Sequence, residues 1–557
     1  MTTLFTTPFV PALNLIGGIA GAATLTFYLT GTTTLQTIYD ADGNPLSNPI
    51  TADAFGRFDD IYLDPMVIYR VVEKDKFGAL LGDVDPFVGA PTAANSIFIA
   101  AGTGAIVRTV QNKLRDIFDI RDFGAVPGTD ISAALTAAAI AASSYATTNG
   151  AIRIPAGQWR LQTNTNLGAC SLIGDGSRSS LIFIDNNSKI TFTGGGIGQN
   201  DYPISQINIS GLYFETTSTH HVGTVIDIGF STRSGGSVPA RTLYIEDVQL
   251  LTANTTNSFD LGINLFNCTN LVMSHVTVAN AYPIQAGSIG VQIGGDLQPV
   301  DMHFDGVYVS FCDTAFNGIG TGFGLGFEGL YFDKCLALFC NIGVNINSAT
   351  AHTLVTITNC NINCFQKNIV INNMDNIHIT NNALYVASAP WHTIESDWIG
   401  IQIDNNDANL NYGSNNIITN NRFVGTPTPN PPIKTGITVD ALNGANTATI
   451  IGKNVFADIQ YIYQLFSGSN NVIIHNDNLY DGAVTTVFTN SGTSNSYAPQ
   501  GCERDLPFTV STLPTNIQSG TRAYVTDATL TTFATTVAGG GSNKVPVFYN
   551  GTNWVIG

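Results

Sequence analysis

The stretch Met302-His-Phe-Asp-Gly-Val-Tyr-Val309 is echoed by Leu325-Gly-Phe-Glu-Gly-Leu-Tyr-Phe332, which runs on into Asp333. Both read apolar-x-apolar-acid-Gly-apolar-Tyr-apolar. Laid over one another, they put Asp305 on Glu328 and Tyr308 on Tyr331. As strands on successive coils of a solenoid, matched residues stand about 4.8 Å apart, the spacing of hydrogen-bonded strands. The pattern therefore predicts two carboxyl groups and two aromatic faces side by side on an outer wall.

Copies of the same template spread in both directions. The pattern apolar-x-apolar-x-x-apolar-x-apolar recurs at Ile207/Ile209, Leu243/Ile245, Leu271/Met273, Met302/Phe304, Leu325/Phe327, Val355/Ile357 and Ile377/Ile379, with weaker copies on Ile418, Ile451 and Ile474. With the second apolar residue as anchor, the gaps are 36, 28, 31, 23, 30, 22, 39, 33 and 23 residues. A coil of 22–23 residues with loops of variable length inserted on it is how a solenoid reads in sequence. A second short strand lies between many anchors, as in Gly262-Ile-Asn-Leu, Gly343-Val-Asn-Ile, Gly400-Ile-Gln-Ile and Gly436-Ile-Thr-Val. Three residues after the later anchors stand Asn382, Asn421, Asn454 and Asp477. Amides there can bond along the axis as a ladder, and Asn tolerates a left-handed corner.

Composition agrees with an all-β chain. Of 557 residues, 44% are hydrophobic and only 11% charged, with 56 glycines. That excludes a disordered protein and favours strands and turns over long helices. A net charge of −18 with no basic patch gives no footprint for nucleic acid. The eight cysteines show no metal-ligand spacing, so they read as packed free thiols, which suits folding in a reducing cytoplasm. His220-His221 has no spaced partner for zinc, and Gly194–Gly198 lacks the Lys and helix of a phosphate loop. No metal and no cofactor are expected. The apolar stretch 12–30 carries Asn14, several threonines and a Gly-Gly pair, and no basic residue precedes Arg57. It reads as strands around a turn at Gly17-Gly18, not as a signal peptide or a membrane span.

Residues 1–105 read as a small antiparallel β domain. Residues 106–121, the most basic stretch, read as a neck. The solenoid is expected over 122–502, and a small C-terminal β cap over 503–557. Residues 131–146 are alanine-rich, with no Gly or Pro and with Asp130 in front as an N-cap, so a helix is expected there.

The order Asp122-Phe-Gly-Ala, polar turn, Ala-rich helix, then Gly150-Ala-Ile-Arg-Ile-Pro-Ala-Gly-Gln-Trp159 resembles the start of the pectate-lyase-like right-handed β-helix family. With a small β domain and a neck in front, it looks like bacteriophage tailspikes that depolymerise polysaccharides. The resemblance implies an all-β, right-handed parallel β-helix solenoid capped by the helix, assembled as a homotrimer. It implies a virion protein made in the host cytoplasm without a signal peptide. Its N-terminal domain would attach to the virion tail or baseplate, and its partner would be a bacterial surface polysaccharide. No nucleic acid and no membrane insertion are implied. Here the usual second acid after the glycine turn is replaced by Pro127-Gly-Thr-Asp130.

The outward position after each anchor reads Ser210, Glu246, Ser274, Asp305, Glu328, Thr358 and Thr380. Asp305, Glu328, Asp333 and Glu246 are the catalytic candidates, with His303, Tyr308 and Tyr331 as sugar-facing neighbours. Glycoside hydrolysis needs two carboxyl groups, one to protonate the leaving oxygen and one to act as nucleophile or base. Adjacent carboxylates repel, so one is expected to stay protonated near neutral pH. Trp391-His-Thr-Ile-Glu395-Ser-Asp397-Trp398 falls in the 39-residue gap and offers Trp391, Glu395, Asp397 and Trp398 as a sugar-binding loop. The readings in competition are a polysaccharide lyase with Lys334, His303 or Tyr331 as base, and a non-catalytic adhesin. Lys334 is expected to face away from Asp333, which favours hydrolysis. A plain solvated acidic wall is the structural alternative to any site.

Overall fold

The computed structural model describes residues 3–5, 12–64, 67–88, 97–99, 107–109, 113, 117–145, 150–194, 207–230, 243–268, 270–295, 299–320, 327–392, 397–405, 415–425, 433–441, 448–481, 484–497, 507–515 and 519–557. They form two compact units, Met1–Asp116 and Ile117–Gly557. Much of the expected neck (106, 110–112 and 114–116) lies outside the described residues, as does Cys502.

In the first unit, Thr24–Leu29 runs antiparallel between Ile50–Thr51 and Ile68–Lys74, with Leu80–Val88 at the edge. Four turns there share one construction, on Asn14, Asp40, Asp53 and Asp75. The side-chain Oδ1 of each accepts the N–H groups two and four residues on, at 2.8–3.1 Å. The glycine three residues on (Gly17, Gly43, Gly56, Gly78) has φ between 73° and 87°, a conformation only glycine adopts cheaply. Leu13 and Ile19 bridge across the first of these turns, in the Gly17-Gly18 region. Ile16, Phe55 and Phe77 stand exposed on three of the turns. Among the described residues no helix is long and apolar enough to cross a membrane.

The second unit is a right-handed parallel β-helix. Thirty-one strands, from Ile117–Asp119 to Ser496–Tyr497, form one continuous sheet with parallel pairing from coil to coil. Three strands make each coil. We call their walls face A (as in 302–305, 330–333, 355–358), face B (as in 308–310, 336–338) and face C (as in 399–405, 435–441). Helix α1, Ser132–Tyr145, lies at the first coil, with Asp130 Oδ1 accepting the Ser132 N–H at 3.0 Å. Its residues Leu135, Ala138 and Ala142 are fully buried in the solenoid's core. The last four strands, Pro507–Phe508, Arg522–Ala528, Asn543–Tyr549 and Trp554–Ile556, form a separate sheet with its own core of Val525, Val545, Val547 and Ile556.

The register corrects the superposition that first revealed the repeat. Asp305 pairs with Asp333, not Glu328; His303 pairs with Tyr331; Tyr308 pairs with Leu336; and Glu328 sits opposite Val300. The inward pair of this coil is therefore Leu330/Phe332, and Leu325 lies outside the described residues. Many face-A strands are flanked by left-handed corners. The trailing one falls two residues after the anchor, at Asp247, His275, Gly306, Lys334, Asn359, Asn381, Asn420 and Lys453. The leading one falls just before the strand, at Asn270, Asp301, Gly329, Leu354, Asn376 and Asn415. Glycine suits both, so the Glu328-Gly329 of a leading corner mimics the Asp305-Gly306 of a trailing one.

Inside, Phe304 stacks on Phe332 at 4.9 Å and Phe423 on Phe456 at 4.5 Å. Beside the trailing corner runs the amide ladder Asn382–Asn421–Asn454–Asn478, fully buried. The expected rung Asp477 is replaced by Asn478, because this coil carries one more residue at the corner. Asp477 instead accepts the Lys453 N–H at 2.9 Å. Cys335 and Cys360 occupy the ladder position in the two preceding coils, and the Cys360 N–H donates to Asn382 Oδ1.

Candidate functional site

Face A carries the predicted carboxylates in one column. In register it reads Ser210, Glu246, Ser274, Asp305, Asp333, Thr358, Thr380. Glu246 stands two coils from Asp305, across the small Ser274. Beside it runs a second outward column of Tyr244, Val272, His303, Tyr331, Thr356 and His378. The His303 imidazole lies flat on the Tyr331 ring, 4.5 Å between centroids and 9° between planes. His303 Nε2 is 2.8 Å from Asp301 Oδ1, which fixes the imidazole in that plane.

Lys334 does not face away. Its Nζ is 2.8 Å from Asp333 Oδ2 and 3.4 Å from Asp305 Oδ1. Strand alternation fails there because Lys334 occupies the left-handed corner, φ 50°, which swings its stem back over the column. Asn359 Nδ2 donates to the other Asp333 oxygen at 2.8 Å. The Lys334 hydrogen bond, helped by Asn359, holds the Asp333 carboxyl below the usual carboxylate range, and the two carboxylates hold Lys334 above its ordinary value. The expectation that repulsion keeps one neighbouring acid protonated therefore fails at Asp333: a cation sits between the two.

The remaining candidates scatter. Tyr308 is half-buried between Thr277 and Leu336, away from Tyr331. Glu328 stands outside the carboxylate column. Trp398 is 0% exposed, built into the core, with its Nε1 donating to Asn368 Oδ1 at 3.2 Å, so it cannot face a sugar. Asp397 is exposed, and Glu395 lies outside the described residues. Trp391 stacks on Tyr282 at 5.3 Å in a half-buried aromatic cluster with Phe311, Phe339, Phe365 and His392. Phe311 and Phe339 are left-handed corner residues stacked at 5.6 Å, a cluster that hydrophobic periodicity does not reveal.

Sequence reasoning also passed over Asp404 and Asp440, which end the strands Gly400-Ile-Gln-Ile-Asp404 and Gly436-Ile-Thr-Val-Asp440. They are direct register partners on face C. The signal was an acid repeated at the same offset in two copies of the second-strand pattern.

Among the described residues, no group of three His, Cys, Asp or Glu could hold a metal ion. His221 is buried with Nε2 2.8 Å from Ser188 O; His220 Nε2 lies 2.9 Å from Asp260. The seven described cysteines are buried thiols outside any disulfide, and burial and neighbouring thiols push Cys312 and Cys364 well up, which makes these two unreactive.

No family model matches the chain, and no curated protein matches it. Several solved structures are similar at low identity. Tailspike protein 3 of bacteriophage CBA120 is 14% identical over 83% of this chain and 73% of its own, with a TM-score of 0.37. The A-module of a mannuronan C-5 epimerase from Azotobacter vinelandii is 13% identical over 69% of this chain and 99% of its own, at 0.35. The catalytic unit of a GH87 α-1,3-glucanase from Streptomyces thermodiastaticus is 12% identical over 86% and 87%, at 0.32. At such scores the chemistry of this chain has to be read from its own side chains.

Proposed function

We propose that this chain is a bacteriophage tailspike whose solenoid binds a bacterial surface polysaccharide, a capsule or O-antigen, and cleaves it by glycoside hydrolysis. The unit Met1–Asp116 would attach it to the virion tail or baseplate, and three copies would assemble side by side. The supporting observation is the pairing of a flat His303–Tyr331 shelf with the carboxylate column Glu246, Asp305 and Asp333. A sugar ring lays its apolar face on the shelf while its hydroxyls reach the carboxylates. Glu246 and Asp305 stand two strand spacings apart, about 9–10 Å between backbones. Side chains leaning across Ser274 come within the separation of an inverting pair, roughly 6.5–9.5 Å.

Hydrolysis is favoured over β-elimination. A lyase needs a free cation to neutralise the uronate carboxylate, and Lys334, the cation beside Asp305 and Asp333, is already shared by those two carboxylates. The test is to incubate the full chain with capsules and O-antigens from a strain panel. Chain shortening with new reducing ends is expected, and Asp305→Asn or Glu246→Gln should slow it by about two orders of magnitude. Ultraviolet absorbance from unsaturated uronates, rising during cleavage, would replace the hydrolase with a lyase. Glycan binding without shortening would leave an adhesin.

A further inference from the structure

His220 opens the strand His220–Phe230, and Ser258 opens the strand Ser258–Phe266 of the next coil; the two residues are direct register partners. From coil to coil these strands lead into face C. His220 Nδ1 lies 2.8 Å from Ser258 Oγ, and His220 Nε2 lies 2.9 Å from Asp260 Oδ1. Asp260, two residues after Ser258, points to the same side of its strand. Its other oxygen, Oδ2, accepts the Gly223 N–H at 2.9 Å. A β-bulge makes that bond: one extra residue falls between His221 and Thr224, and Gly223 takes φ 87°.

A hydroxyl in reach of a base, with the base oriented by a third group, is the construction of a serine hydrolase. With the Nε2–H given to Asp260, Nδ1 keeps its lone pair toward the Ser258 hydroxyl. The two ring nitrogens thus serve in the reverse of the serine-protease order. The site is open to solvent: the His220 and Asp260 side chains are 36% and 43% exposed, and Ser258 is recessed beside them at 9%. A recessed hydroxyl admits a small acyl group carried on a projecting oxygen. The N–H groups of Ser258, Val222 and Gly223 go to Thr219 O, Asn187 Oδ1 and Asp260 Oδ2, so none of the three is free for an oxyanion. An oxyanion donor is worth about 10²–10³ in turnover, which leaves the ester, a more reactive carbonyl than the amide, as the bond this site can open.

We infer that Ser258, His220 and Asp260 form an acyl-transfer site that hydrolyses small acyl esters on the hydroxyls of a polysaccharide. The inference takes its substrate from the glycan reading above, while its chemistry stands on the triad and touches no glycosidic bond. Ser258 Oγ bonds to the ester carbonyl carbon, and its proton passes to His220 Nδ1. Asp260 holds the imidazolium through the Nε2–H. The sugar oxygen leaves with the Nδ1 proton, and the acyl group stays on Ser258. Water then gives a proton to Nδ1 as its oxygen attacks the acyl carbon, and Ser258 Oγ leaves with that proton. The net change is sugar ester plus water to sugar hydroxyl plus carboxylic acid.

The experiment treats the full chain with a fluorophosphonate, which phosphonylates an activated serine, and reads the labelled peptide by mass spectrometry. Label on Ser258 is expected. The chain should also hydrolyse p-nitrophenyl acetate and release acetate from O-acetylated capsules and O-antigens. Ser258→Ala should slow both by about 100-fold or more and leave chain shortening as it is. Asp260 acts through His220, so Asp260→Asn should lower kcat on p-nitrophenyl acetate with KM unchanged, and Asp260→Glu should restore part of it. Circular dichroism checks the fold; if Ser258→Ala misfolds, His220→Gln decides. Ser258 left unlabelled, or ester hydrolysis unchanged in Ser258→Ala, overturns the triad whatever the chain does to glycosidic bonds. Labelled Ser258 with no acetate released from any acetylated polysaccharide overturns the sugar ester as its substrate. Acetate release without chain shortening supports the triad and overturns the glycoside hydrolase alone.

Discussion

Asn421 is the place where the solenoid's stability can be tested one rung at a time. It is 1% exposed. Its Nδ2 donates to Ile379 O at 2.8 Å and to Asn454 Oδ1 at 3.1 Å; its Oδ1 accepts the Asn382 N–H and Asn382 Nδ2, both at 3.0 Å. Asn421→Ala removes all four bonds and leaves one buried carbonyl and one buried N–H unpaired. Each orphaned group costs about 1–3 kcal/mol, so the sum is roughly 3–5 kcal/mol. Because each coil touches only its neighbours, the loss should stay local. Hydrogen exchange read by mass spectrometry should show peptides spanning 377–382, 416–424 and 449–457 exchanging faster by about two to nearly four orders of magnitude, while those over 207–310 stay protected. Acceleration of less than tenfold, or loss of protection spread evenly along the chain, would refute the ladder as a local clamp.

Three further outcomes follow from the geometry. Asp53→Ala removes the bonds from the Phe55 and Arg57 N–H groups, both 2.8 Å, and should destabilise the first unit by about 1–2 kcal/mol; an unchanged denaturant midpoint for that unit would count against the clamp. Tyr331→Ala should weaken glycan binding by roughly 3- to 10-fold, the worth of one stacking contact, and unchanged affinity in titration calorimetry would remove the shelf from the site. Asp333 has a lowered folded pKa, so its pairing with Lys334 stabilises the fold above the unfolded carboxyl pKa of about 3.9 and is lost as pH falls through the folded value. Asp333→Asn should therefore lower the melting temperature at pH 7 and shrink its fall on acidification; parallel profiles for the two proteins would refute the linkage.

The fold was legible because a solenoid writes its period into the chain. Inward pairs such as Ile207/Ile209 and Val355/Ile357 fall where the template put them, since an apolar doublet can face only the core. What one sequence leaves open is phase. Leu325-Gly-Phe-Glu-Gly-Leu-Tyr-Phe332 contains two apolar doublets, and only the corner at Lys334 selects the second. That selection moved Glu328 out of the carboxylate column and put Asp333 in. Trp398 misled for another reason: tryptophans close together look like a binding loop, but Trp398 begins a strand and fills the core. The Lys334 contacts were out of reach, because side-chain alternation holds along a strand and breaks at a left-handed residue.

The two acid pairs show why equal spacing on a solenoid does not fix equal chemistry. Asp305/Asp333 and Asp404/Asp440 are both register partners on adjacent coils, so the fold sets the same backbone separation for each. Two bare charges about 5 Å apart repel by roughly 3 kcal/mol at an effective dielectric of 20, equivalent to about two pKa units. On face A the Lys334 ammonium cancels that repulsion, and the Asn359 amide adds a bond that the ionised form alone can accept fully. On face C the corresponding help for Asp404 is a neutral amide and a lysine one coil back, against burial and the charge of Asp440. On face A the Lys334 ammonium and the Asn359 amide hold Asp333 in its charged form, in which it accepts hydrogen bonds. On face C burial raises the Asp404 carboxyl instead, so the same strand spacing gives carboxyls of opposite tendency on the two walls.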